Sequence, residues 1–64
     1  MKTIETIKTI IAEMPDALFD KINDAEYDAW DLDRRVARNG KKRLAYNLQK
    51  VGLTVEEWFA WCDD

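Results

Sequence analysis

The sequence predicts an all-α fold: a single small, compact helical domain over residues 1–64, with three to five short helices and one longer amphipathic helix near 16–38. Three observations point there. Apolar residues recur at spacings of three and four along most of the chain, the period of a helix and not of a strand. Only two glycines and one proline are present, and no Asn-Gly turn stands between alternating runs, so hairpin signals are missing. Thr54 and Glu57 stand three apart just before an apolar run, the signature of a capping box that opens a helix.

Ile4, Ile7, Ile11 and Met14 share one helical face, with Thr3 as its N-cap. The β-branched residues here lower the intrinsic helix preference, but strict alternation is absent and a helix is expected. Pro15 sets a boundary near Met14, because a residue before proline avoids helical geometry. Proline itself suits a first helical turn. From Leu18 the apolar positions run Leu18, Ile22, Ala25, Ala29, Leu32 and Val36, a seven-residue repeat held for almost three periods. All six fall within about 40° of one line on a helix, so one helix is expected from about Asp16 to Arg38. Asn23-Asp24 is where a break would come, and Asn39-Gly40 reads as the C-terminal stop. Lys41 to Val51 follows as a helix with Leu44, Leu48 and Val51 on its stripe, ended by Gly52. Leu53 and Trp58 then occupy the two positions of a hydrophobic staple around the capping box. Val55, Trp58, Phe59 and Cys62 line one face of the last helix.

A chain of 64 residues has a marginal core. Its 47% hydrophobic content is too high for a disordered chain, and three Trp, two Phe and two Tyr supply large areas to bury. Dimerisation is another remedy at this size. The lone cysteine excludes an internal disulfide, so an oxidising compartment is not required. With no basic-then-apolar leader and no membrane-length apolar run, a soluble, cytoplasmic protein is expected.

Charge is sorted into blocks. Residues 13–33 hold eight acids and one base, residues 34–50 seven bases and no acid, and the last fourteen residues four acids and no base. Such sorting makes faces of opposite potential, which select partners by sign. On a single helix from 16 to 38 the acids come first and the bases last, the order the helix dipole prefers.

Catalysis is poorly supported. Histidine and serine are absent, which removes the commonest acid–base group and metal ligand. Cys62 falls where an apolar face predicts a buried structural thiol. Asp24, Glu26 and Asp28 alternate as calcium-loop ligands do, yet the loop's sixth position lacks glycine and its twelfth lacks glutamate. No enzyme, metal or cofactor is expected.

The favoured function is a small acidic protein-binding regulator or inhibitor, of the type that phages and mobile elements use against host enzymes. Its partner would be another protein, such as a nucleic-acid-handling enzyme or complex. Asp16, Asp20, Asp24, Asp28 and Asp31 form the acidic face, at ~6 Å per helical turn, a spacing close to that of phosphates along a strand. Trp30 and Trp61 are the aromatic anchors. One alternative is nucleic-acid binding through Arg34, Arg35, Arg38, Lys41, Lys42 and Arg43, with Tyr46 as a stacking ring. A helix-turn-helix outline over Leu44–Trp61 fails, because its second helix would present Glu56 and Glu57 to the groove. Another alternative is a homodimer. An acid-first, base-second helix complements an antiparallel copy of itself, and Ala25 and Ala29 would let the seam close.

Overall fold

Thr3 opens the first helix: its hydroxyl accepts the Thr6 N–H at 3.3 Å. In the computed structural model, which describes residues 1–64, four α-helices follow and no strand: α1 (Ile4–Glu13), α2 (Asp16–Ala29), α3 (Arg34–Gln49) and α4 (Val55–Asp63). Met14 adopts extended backbone ahead of Pro15, which separates α1 from α2 for the steric reason given above. The capping box at α4 forms in both directions. Glu57 N–H donates to the Thr54 hydroxyl at 3.1 Å, and Thr54 N–H donates to the Glu57 carboxylate at 2.9 Å. Gly52 ends the α3 region at φ 78°, with Leu53 N–H bonded to the Leu48 carbonyl and Gly52 N–H to that of Gln49, a Schellman pair.

The single helix expected over 16–38 is two helices. It does not break at Asn23-Asp24, nor stop at Asn39-Gly40; the chain reverses at 30–33. Two aspartates fix where the break falls. The Asp31 carboxylate accepts the Asp33 N–H, and the Asp33 carboxylate accepts the Arg35 N–H, both at 2.8 Å. These side chains take over backbone donors that a continuing helix would have bonded to carbonyls, and Asp33 thereby becomes the N-cap of α3. Leu32, expected on the apolar stripe, is fully exposed.

Reversal lets α2 and α3 pack as an antiparallel hairpin, with Ile22, Ala25 and Ala29 of one and Gly40, Leu44 and Leu48 of the other all buried. Gly40 sits mid-helix for closeness, not as a stop. A Cβ there would stand 2.5 Å from the Ala29 backbone nitrogen. Ala25 and Ala29, offered above as a seam for a second copy, are spent inside the chain.

α4 completes the core through Trp58, which is fully buried beside Ile7, Ile11, Met14 and Leu53. Its indole N–H donates to the Glu26 carboxylate at 2.6 Å. Phe19 meets Trp58 and Trp61 edge-on, at centroid separations of 5.9 and 6.3 Å. The chain start is tied to the same place. Lys2 N–H donates to Glu57 at 2.7 Å, and the Lys2 ammonium donates to the Gly52 carbonyl at 2.6 Å. Bonds from the Lys2 and Thr54 backbone N–H groups hold the 2%-exposed Glu57 carboxyl below its ordinary range. No helix is long and apolar enough to cross a membrane.

Candidate interaction surface

Reversal at 30–33 turns the two charge blocks into two outward faces. On α2, Asp16, Asp20 and Asp24 lie about 130–170° from the buried line of Ile22, Ala25 and Ala29. All three are exposed, and none forms an ion pair within the chain. A step of four residues drifts 40° around a helix, so Asp28 has rotated to the flank of α2, about 90° from that line. There it pairs with Arg43 of α3, and the two charges offset each other. Asp31 lies outside the helix, occupied with the Asp33 N–H and with no ion pair to Arg34 or Arg35. The five-residue acidic face is thus a stripe of three.

The basic residues divide the same way. Arg43 belongs to the hairpin, with its Nε buried and unpartnered. Arg34, Arg35, Arg38, Lys41 and Lys42 are exposed, spread about 60–180° from the buried line of α3. None has an acidic partner in the chain. This face works against local energetics. Arg34–Arg38, Arg38–Lys42, Arg35–Arg38 and Arg38–Lys41 are like-charge pairs one turn apart, each costing about 0.2–0.5 kcal/mol. Arg34 and Arg35 also occupy the first turn of α3, where the dipole disfavours cations. The charge order that suited one long helix opposes the helix that forms.

At the turn that joins the two helices, and reaching onto the aspartate side of α2, lies an apolar patch. Tyr27 and Trp30 are 80% and 72% exposed, next to the fully exposed Leu32. With Asn23, Glu26 and Asp31 they line a shallow cleft of about 560 Å³. Trp30 is also a wall of a second cleft, about 450 Å³, shared with Ala29, Lys41, Leu44, Val55 and Phe59. It is held upright by an edge-on contact with Phe59 at 5.8 Å. Trp30 therefore stands as a ridge between two concavities. Trp61 lies elsewhere, half-buried against Phe19 and Trp58, and we place it with the core. Tyr46, proposed above as a stacking ring, is exposed but lies under the Lys50 ammonium at 4.9 Å.

Sequence reasoning missed Tyr27 and Leu32. The signal for Tyr27 was present, since it falls about 165° from the buried line of α2, on the aspartate face. That for Leu32 was masked by its place in the seven-residue repeat. Cys62 is exposed instead of buried. Partial burial of its sulfur and the Glu26 carboxylate, 3.5 Å away, push the thiol up to about 11, which leaves little thiolate at neutral pH. No group of three or more acids or cysteines is placed to hold a metal ion.

Comparison of the chain with protein-family models, curated proteins and solved structures returns no match.

Proposed function

We propose that this protein is a small protein-binding regulator whose contact surface is centred on the α2–α3 turn. Trp30 is the anchor, Tyr27 and Leu32 extend the apolar area, and Asp16, Asp20 and Asp24 form an acidic border along α2. The observation that carries the reading is the contiguous exposure of Tyr27, Trp30 and Leu32 in a chain that buries its other tryptophans wholly or half. Aromatic side chains left in water beside unpaired charge are the composition of interface hot spots. The partner's complementary surface would carry an apolar pocket for the indole and a basic border for the three aspartates. A nucleic-acid-handling protein, whose own groove is basic, fits that description.

The test is affinity capture from the native host, with captured proteins quantified by mass spectrometry for wild type and variants. Trp30→Ala should reduce capture of the specific partner by about 30-fold or more, the scale of a hot-spot residue. Asp20→Lys with Asp24→Lys should do the same by reversing the border. Asp28 is left intact because its carboxylate is committed to Arg43. Capture unchanged in both variants rejects the reading.

A further inference from the structure

We infer that the outer face of α3 is a docking site for a nucleic-acid phosphate backbone, a reading that does not rest on the protein contact on the adjoining α2–α3 turn, although Lys41 also lines the Trp30 cleft. Five cations project there: Arg34, Arg35, Arg38, Lys41 and Lys42. Arg34, Arg38 and Lys42 climb the helix at ~6 Å per step, and Arg35 and Lys41 flank that row. Two shallow depressions run between them. One of about 380 Å³ is lined by Arg34, Arg35, Arg38, Asn39 and Lys42, and one of about 400 Å³ by Arg34, Ala37, Arg38, Lys41 and Lys42.

What selects the occupant is the chemistry of that lining. The first depression contains no apolar side chain, and the second only Ala37. A protein partner would need an apolar anchor at the centre of its contact, where charged residues are depleted. A phosphate backbone needs none: it takes fixed cations at regular intervals, with guanidinium forks matching its oxygens. Three of the five cations are arginines. The Asn39 amide adds a neutral donor at the edge of the row. The one ring on this face is Tyr46, a turn beyond Lys42, and it lies under the Lys50 ammonium; base–aromatic stacking is itself sequence-tolerant, so binding is expected to be indifferent to sequence.

The acidic face does not forbid this. Packed helices stand about 8–10 Å apart, and the aspartate stripe and the outermost cations, Arg35, Arg38 and Lys42, point away from each other across that pair. They are therefore separated by more than the ~10 Å screening length at 0.1 M salt. Asp33, at the head of α3, is engaged in capping Arg35 N–H.

The experiment is fluorescence anisotropy of a labelled DNA duplex titrated with the intact chain at several salt concentrations. With one phosphate neutralised per cation, the log–log salt slope should be about −4.5, a loss of roughly 500-fold in affinity between 50 and 200 mM salt. Arg34→Ala, Arg38→Ala and Lys42→Ala together should bring the slope to about −2 and weaken binding sharply at 50 mM. Glutamine at the same three positions keeps the side-chain stems and should behave alike, which separates charge from folding. Trp30→Ala should leave the slope unchanged, so failure here and failure of the protein contact are distinguishable. No binding at 50 mM salt would overturn the inference, as would a slope that survives the triple substitution. Equal competition by poly-glutamate at matched charge would also overturn it, by assigning the face to an acidic protein.

Discussion

Where α2 and α3 approach most closely the contact is made with glycine and alanine, whereas α4 meets the rest of the molecule through the largest side chains. A Cβ at Gly40 would run into the backbone of Asp28 and Ala29; Trp58, Phe19 and Trp61 meet edge-on or tilted, 5.1–6.3 Å between ring centres. The first seam gains from proximity and tolerates no added atom. The second gains from area, and its polar atom needs the Glu26 carboxylate. They also serve different ends. Packing at Gly40 sets the two charged faces outward on adjacent helices, while the aromatic seam buries Trp58, the largest side chain of the core, and α4 also props Trp30 against Phe59.

The aromatic seam is where the largest effect is expected. Trp58→Ala should cost about 3–5 kcal/mol, against a total of roughly 3–10 kcal/mol for a chain this long. Helicity at 25 °C and cooperative melting should both be largely lost; a variant melting within a few degrees of wild type would show that the core does not depend on the buried Trp58 indole. Trp58→Phe sharpens the point, since it keeps much of the packing but strips Glu26 of its indole donor.

At the small-residue seam the sign of the effect is the test. Glycine to alanine inside a helix normally stabilises by about 1 kcal/mol. At Gly40 the new Cβ would lie 2.5–2.8 Å from atoms of Asp28 and Ala29, most of them backbone, so Gly40→Ala should instead destabilise by about 1–3 kcal/mol, the cost of overpacking. A raised midpoint in urea would refute close packing there.

The smallest effect belongs to the tie between the chain start and α4. Glu57 has its carboxyl held below the ordinary value by the Lys2 and Thr54 N–H groups. The contribution is therefore present above the unfolded value near 4.3 and is lost as pH falls through the lower folded value. Thermal stability should drop on acidification below about pH 4, and Glu57→Gln should flatten part of that slope.

How far the candidate surface could be read from sequence follows the same division. Trp30 was legible because it falls off the apolar line, and the aspartates because they recur at fours. The drift that carries Asp28 to the flank of α2 is a local pattern, but its neutralisation depends on Arg43, fifteen residues away and on another helix, which no local pattern encodes. The opposition between the cations and the α3 dipole became visible only once Asp33 was known to start a helix.

Local chemistry alone determined the all-α class and the elements that begin or end on their own residues. Thr3, Pro15, Gly52 and the Thr54–Glu57 box act through hydrogen bonds or sterics within a few positions, so their outcome is written where they stand. Tertiary structure decided the fate of residues 16–38. A seven-residue apolar repeat is satisfied equally by one long helix seeking a partner and by two shorter ones that bury each other. Only the second option covers Ile22, Ala25 and Ala29 with Leu44 and Leu48 of the same chain, and that burial exists only after the chain has turned back.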